Sequence, residues 1–214
     1  MGLNCGCPAG AHLADLKIEE CKESFGQIQK VAFQRVFKSP GVLNNVDDPT
    51  KKATFTPLFA AADASKMIVT PYVQAPTTEP GAARTFGGGN QTLGGVEIIV
   101  GREPTNFSGV FYQESQGTIA AMKSYMCENV AVWLVDEYGN IGCLADNPAE
   151  PTKYMPIPVS KLFIGDKKFG GLEEPDSNTV MWSFLPNWSD NFVIVKRETL
   201  DFNPLTDWVN QASL

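Results

Sequence analysis

Apolar and polar positions along the chain alternate in a way that predicts mostly β-strands. The first such run covers residues 25–37, where Val31, Phe33 and Phe37 fall on one face and Gln34 on the other. Successive side chains of a strand point to opposite faces, so this alternation is the period of a half-buried strand. We predict the first strand here.

Further short apolar runs are bounded by glycine, proline, asparagine or aspartate, which is typical of strands separated by turns. The predicted strands are Met67–Val73, with Pro71 restricting it to an edge or a bulge, Gly94–Gly101, Phe107–Tyr112, Val130–Val135, Ile141–Leu144, Met155–Ile164, Thr179–Leu185 and Asn191–Lys196.

Two hairpins are expected among these strands. Val130–Val135 and Ile141–Leu144 flank a five-residue turn in which Gly139 can adopt a positive φ. A second five-residue turn, Pro186–Asp190, separates the last two predicted strands and predicts a second hairpin.

One helix stands out, over Ser115–Cys127. Ser115 can cap its N-terminus, and Ile119, Met122 and Met126 then recur at helical spacing. Weaker helical signals occur over Leu58–Ala64 and after Asn203 and Pro204, an N-cap and a first helical residue. The predicted fold is mainly β: an antiparallel β-sandwich or barrel-like sheet flanked by one α-helix at about residues 115–127.

The length of 214 residues fits a single domain, 1–214. Residues 1–24 show weak periodicity and are predicted to form an N-terminal arm. Segments 38–65 and 74–95 are rich in turn-forming residues and are predicted to be long loops. Loops longer than about 12–15 residues are usually functional or disordered, so we expect both to take part in assembly.

The formal net charge is −7. This balance argues against a basic surface that grips phosphate backbones. No apolar run approaches the roughly 20 residues that span a bilayer, and the N-terminus lacks the pattern of a secretory signal. We therefore expect a soluble protein that is made in a cytoplasm and has no membrane anchor.

Thiol and imidazole groups near the N-terminus raise the question of zinc. Cys5, Cys7, His12 and Cys21 are the usual ligand types, but a Cys-x-Cys pair without a second close pair fits known zinc spacings poorly. Cys143 lies in an apolar strand, far in sequence from His12, the single histidine. We predict free thiols, no metal site and no cysteine nucleophile.

Carboxylates and glycines offer two further candidates for chemistry. Asp136, Glu137, Glu173 and Glu174 could act as paired acids and bases, but their positions in turns favour simple solvation. The run Gly87–Gly95 lacks the Gly-Lys-Ser/Thr end of a phosphate-binding loop and precedes a strand, so it predicts a flexible loop. No catalytic residue and no cofactor is predicted.

The four tryptophans could form a sugar-stacking platform on a β-sandwich. Trp133, Trp182 and Trp208 lie in apolar periodic runs and are predicted to be core. Trp188, in the turn Pro-Asn-Trp-Ser-Asp, is predicted to be exposed.

The order of elements, from early strand and long loops through the strand pair and single helix to the closing hairpins, resembles the tail tube proteins of tailed bacteriophages. The stretches Phe25–Arg35 and Ala75–Arg84 are also similar to virion proteins of phages from gut bacteria. The resemblance implies self-association into stacked, hexameric rings that contact other tail proteins. It also implies residence in the virion tail, and in the host cytoplasm during assembly.

The same resemblance implies a lumen through which DNA passes without specific binding. An acidic lumen would offer DNA no counter-charge. Two alternatives remain open: another virion component, such as a tail-end, connector or capsid-decorating protein, and a carbohydrate-binding β-sandwich. An enzyme has the least support from these residues.

Overall fold

The computed structural model describes residues 24–211. The predicted arm therefore lies outside the described residues except for its last position, and so do Cys5, Cys7, His12 and Cys21.

The described chain is mainly β, as predicted, with fourteen strands and three α-helices. The strands are β1 Ile28–Arg35, β2 Phe37–Ser39, β3 Val42–Leu43, β4 Met67–Val69, β5 Gln74–Glu79, β6 Ala83–Gly87, β7 Glu97–Arg102, β8 Thr105–Tyr112, β9 Val130–Asp136, β10 Ile141–Ala145, β11 Tyr154–Met155, β12 Ile157–Ile164, β13 Ser177–Phe184 and β14 Phe192–Val195. The helices are α1 Lys52–Ala60, α2 Gln116–Ser124 and α3 Pro204–Asp207. Among residues 24–211, no helix is long and apolar enough to cross a membrane.

Ten strands form one antiparallel sheet. Its main path is β11-β10-β9-β12-β13-β8-β5, while β1 pairs with β9 and β4, and β14 pairs with β10. The sheet curls back on itself. A hydrogen bond shows this: the Val73 amide, just before β5, donates to the Gln29 carbonyl of β1 at 2.8 Å. Phe33 of β1 also meets Trp182 of β13 across the interior, with ring centroids 6.3 Å apart. The result is a barrel-like sheet.

Two apolar cores lie on opposite faces of β1 and β9. The barrel core includes Val31 and Phe33, while Ala32 and Trp133 face a second, outer core. The outer core is covered by α1 and by the C-terminal segment, through side chains that include Phe55, Phe59, Phe202 and Trp208.

This arrangement corrects the prediction of a half-buried first strand. Gln34 and Lys30 are buried as well as Val31 and Phe33, because the outer core covers the second face of β1. Phe37 is not part of that strand's core face, since it lies exposed in β2.

Helix α2 begins as predicted. The Ser115 hydroxyl accepts from the Thr118 amide at 3.1 Å, and Ile119 and Met122 are buried in the barrel core. Met126 lies beyond the α-helix in a 3₁₀ turn and is exposed.

The prediction of a single flanking helix was incomplete, because α1 covers the outer core. The weak helical signal over 58–64 corresponds only to the last turn of α1.

Of the two predicted hairpins, one forms and the other does not. The hairpin β9–β10 forms, but the second predicted hairpin is wrong, since β13 pairs with β12 and β8 while β14 pairs with β10. Segments 38–65 and 74–95 are not simple loops: the first contains β3 and α1, and the second contains β5 and β6.

Candidate assembly surface

Strands β6 and β7 form a hairpin that no other described strand joins. In the chain they lie between β5 and β8. These two strands pair with each other, and Glu79 lies opposite Asn106. The hairpin therefore continues past the end of the β5–β8 ladder and out of the main sheet.

The direction in which the hairpin projects follows from β1. The chain from β4 to β5 runs antiparallel to β1, with Met67 opposite Gln34 and Val73 bonded to Gln29. Residues beyond Val73 thus proceed past Ile28, the N-terminal end of β1. The β6–β7 hairpin lies further along the same path.

Glycines build the hairpin's tip. Gly87, Gly88, Gly89, Gly94 and Gly95 all have positive φ, between 55° and 110°, a region that side chains with a Cβ rarely adopt. The Thr92 hydroxyl accepts from the Gly88 amide at 3.2 Å and donates to the Val96 carbonyl at 2.6 Å. The run 87–95 is therefore the turn of a hairpin, bound together by Thr92.

Large apolar side chains remain exposed on the hairpin. Phe86 is 55% exposed and Val100 61%, and Leu93 at the tip is fully exposed. Val96 and Ile99 are also more than half exposed. A two-stranded hairpin is marginally stable in water by itself, and a concentrated apolar patch marks a contact site. The hairpin is therefore a candidate contact surface.

The root of the hairpin is held in place. Arg84 Nε lies 3.5 Å from Glu103 Oε1 across the two strands, and Arg102 donates to the Asn187 side chain in the turn after β13. Gly81 allows close packing here, since a Cβ at this position would lie 1.9 Å from the Glu103 carbonyl oxygen. The hydrogen bond between Arg102 and Asn187 therefore joins the root of the hairpin to the barrel.

The predicted acid–base candidates have structural partners. Asp136 is buried and accepts from the amides of Gly26, Tyr138 and Asn140 at 2.8–3.0 Å, and from the Asn140 side chain at 2.7 Å. It organises the β9–β10 turn and joins it to the segment before β1. Glu174 pairs with Lys168 on the surface at 3.1 Å.

The remaining candidates are not brought together. Glu137 accepts from the Gln27 amide at 3.4 Å, in a different part of the molecule from the Glu174 pair. Cys143 is buried in the outer core, where burial raises the pKa of its thiol far above the usual range. Within residues 24–211, no three His, Cys, Asp or Glu side chains are grouped so as to hold a metal ion.

The tryptophans do not form an exposed platform. Trp133, Trp182 and Trp208 are buried, as predicted. Trp188 is half-buried rather than exposed. Its ring stacks on that of Phe184, with centroids 4.6 Å apart, and meets that of Phe192 edge-on, with centroids 5.3 Å apart. The prediction for Trp188 was wrong because the turn folds back onto the barrel.

Sequence reasoning recognised β7 in part but missed β6 and the hairpin that they form. A signal was present: Thr85 and Phe86 precede the glycine run, and a β-branched run follows it. A strand, a glycine-rich turn and a second strand are the pattern of a hairpin. The length of the turn and its proline-rich approach concealed that pattern.

Comparisons with known proteins give only distant structural similarities. No protein-family model matches the chain, and no curated protein matches it. A chain in the virion of a native gene transfer agent particle has a TM-score of 0.34 and 12% identity, over 61% of this chain and 88% of that one.

Two further solved structures are similar at the same level. A chain in the tail of an empty gene transfer agent particle, with C6 symmetry, has a TM-score of 0.31 and 14% identity, over 58% of this chain and 81% of that one. A chain in the sixfold-symmetrised baseplate of the anti-feeding prophage has a TM-score of 0.35 and 7% identity, over 82% of this chain and 97% of that one.

Proposed function

We propose that this chain is a structural subunit of a phage-like tail tube, which assembles into stacked, hexameric rings around a lumen for DNA and carries out no catalysis. The observation that carries the proposal is the β6–β7 hairpin, which projects past one end of the barrel with its apolar side chains uncovered.

Within residues 24–211, the apolar side chains of the β6–β7 hairpin lie exposed. Among residues 24–211, its two strands pair with no strand of the main sheet, so we infer that another copy of the chain supplies the burial that stabilises them. A projecting element that meets a different surface of the next copy gives a head-to-tail contact, and such contacts build rings or filaments. Because every subunit would carry both the hairpin and the surface that it meets, the contact would repeat from one subunit to the next.

The acidic balance of the chain agrees with passage of DNA rather than its capture. With a formal net charge of −7, a closed assembly would present mainly repulsion to a polyanion, and binding would lack the counterion release that dominates affinity for DNA. Contacts with other tail proteins at the two ends of the tube belong to the same proposal.

Electron microscopy and analytical ultracentrifugation of the purified protein test the proposal. We expect rings and tubes whose fraction increases with protein concentration. A chain that stays strictly monomeric at high concentration, and is absent from virions, would overturn it.

A pair of valine variants tests the role of the hairpin. Val100→Asp places a charge on the exposed hairpin, while Val209→Asp makes the same change at a position that is 59% exposed and far from it in sequence. We expect the first variant to lose assembly and the second to assemble like the wild type. Equal assembly of both would argue against the hairpin as the contact surface.

A further inference from the structure

We propose that the Asn210 side chain closes the outer edge of β4 to strand addition by a second copy of this chain. The inference concerns an edge of the main sheet that lies apart from the β6–β7 hairpin. It therefore goes beyond the proposed function and does not depend on it.

The strand β4 lies at an edge of the main sheet. Among residues 24–211, the strand that pairs with it is β1, where Val69 lies opposite Ala32. The next amide along, that of Thr70, donates to the Val31 carbonyl of β1 at 2.9 Å. Backbone groups of successive residues in a strand point to opposite sides, so the N–H and C=O of Val69 point away from β1. These two groups belong to the outer edge of the sheet.

The Asn210 side chain satisfies both of these groups. Its Oδ1 accepts from the Val69 amide at 2.7 Å, and its Nδ2 donates to the Val69 carbonyl at 2.8 Å. Two residues that face each other in an antiparallel pair of strands exchange the same two hydrogen bonds through their backbones. Asn210 therefore takes the place that a residue of a neighbouring strand would occupy.

The sequence of β4 makes its edge prone to pairing. Met67, Ile68 and Val69 are all apolar, and an open edge of such residues is a template for another strand. By contrast, β5, at the end of the main path of the sheet, contains Pro76 and Glu79. Proline and charge are common means of preventing strand addition. Since β4 contains neither, we assign the protection of its edge to Asn210.

The chain next to Asn210 is anchored without it. Trp208 is buried in the outer core, and its carbonyl accepts from Lys30 Nζ at 3.0 Å. Asn210 itself is exposed, so its replacement leaves no cavity in the core. Losing its amide should therefore open the edge of β4 while the fold and the position of Trp208 are kept.

Hydrogen exchange at the Val69 amide tests the contact directly. We expect Asn210→Ala to speed this exchange by at least about tenfold at low protein concentration, because the hydrogen bond that protects the amide is lost. Asn45→Ala is the matched control, since Asn45 is also exposed and its side chain donates to the Leu43 carbonyl of β3 at 3.2 Å. The control should exchange like the wild type. Unchanged exchange in a folded Asn210→Ala protein would overturn the inference.

Sedimentation velocity tests what the opened edge does. The hairpin variant Val100→Asp serves as the background, so that association through the hairpin does not hide a second contact. In this background, we expect Asn210→Ala to form dimers in which β4 of one copy pairs with β4 of the other. Their association constant should be at least about tenfold higher than that of the Asn45→Ala control. Equal association of the two proteins would overturn the inference.

A lysine on β4 identifies the surface through which the dimers form. A charged side chain on an edge strand opposes pairing, and Ile68 is only half-buried. Adding Ile68→Lys to Asn210→Ala should therefore return the protein to monomers. Val42→Lys, at an exposed position of β3, should leave the dimers intact. Dimers that survive Ile68→Lys would lie at another surface and overturn the inference.

The proposed function can fail separately. If Val100→Asp still forms rings or tubes, the hairpin is not the assembly contact, and the exchange rate of the Val69 amide still decides the role of Asn210. The same measurement decides it if Ile68→Lys fails to fold.

Discussion

Lys30 donates a hydrogen bond from Nζ to the carbonyl oxygen of Trp208 at 3.0 Å and so joins β1 to the end of α3. The same nitrogen donates to the Leu205 carbonyl at 2.8 Å, and it lies 5.4 Å from the ring centre of Tyr72. The last carbonyls of a helix have no partner within the helix, and a cation there satisfies them. Burial lowers the pKa of Lys30 below its ordinary value of 10.5.

We expect Lys30→Met to destabilise the fold by about 1–3 kcal/mol. It removes the Lys30 donor of the Trp208 carbonyl, and the Leu205 carbonyl keeps only the hydrogen bond from the Tyr72 hydroxyl at 3.0 Å. Urea unfolding followed by tryptophan fluorescence would measure the loss, with Lys38→Met, an exposed lysine of β2, as the control. If the two variants lose equal stability, the hydrogen bonds of Lys30 contribute little.

Phe55 of α1 lies at the centre of the outer core. Its ring centroid is 5.0 Å from that of Trp208, 5.6 Å from that of Trp133 and 5.7 Å from that of Phe202. Phe55→Ala should therefore cost about 3–5 kcal/mol of stability, through lost burial and the cavity that remains.

Thermal unfolding monitored by circular dichroism would test this, with Phe169→Ala as the control, since Phe169 is largely exposed. The control should change stability by less than about 0.5 kcal/mol. A Phe55→Ala protein as stable as the control would mean that α1 is not needed for the fold.

Elements fixed by neighbouring residues could be predicted from the sequence. The hairpin β9–β10 formed where alternation and Gly139 indicated it, and Ser115 caps α2 as expected. In both cases the determining contacts join residues close in the chain, so the local pattern contains the information.

Features that depend on distant residues could not be predicted in this way. β14 pairs with β10, about fifty positions earlier in the chain, rather than with the nearer β13. The burial of Gln34 depends on two hydrogen bonds of its side-chain amide: Nε2 donates to the Ser65 carbonyl at 2.7 Å, and Oε1 accepts from the Trp133 indole at 3.0 Å.

Helix α1 contains Pro57, which ordinarily argues against a helix. The hairpin was concealed for the related reason that its strands have no buried face.

Trp188 provides a prediction that separates structure from ligand binding. Because it stacks on Phe184 and contacts Phe192, Trp188→Ala should destabilise the protein by roughly 1–3 kcal/mol, less than a fully buried aromatic residue. Chemical unfolding would measure this, and Trp188→Phe should recover part of the loss. A glycan array that detects binding by the wild type, lost in a Trp188→Ala protein of unchanged stability, would instead favour a carbohydrate-binding role.

Asp146 gives the clearest pH dependence. Its carboxylate accepts from the Thr152 hydroxyl and from the amides of Lys153, Thr152 and Asn147, which lower its pKa well below the ordinary value of 3.8. These hydrogen bonds favour the ionised carboxylate in the folded state. Their contribution to stability is therefore complete above the pKa of Asp146 in the unfolded chain and is lost as pH falls through its pKa in the folded protein.

Asp146→Asn should therefore lower stability at pH 7, and the difference in stability between this variant and the wild type should shrink below about pH 4. Thr152→Val should reproduce part of both effects in urea unfolding at a series of pH values. Parallel wild-type and Asp146→Asn curves over the whole range would contradict this role of the carboxylate.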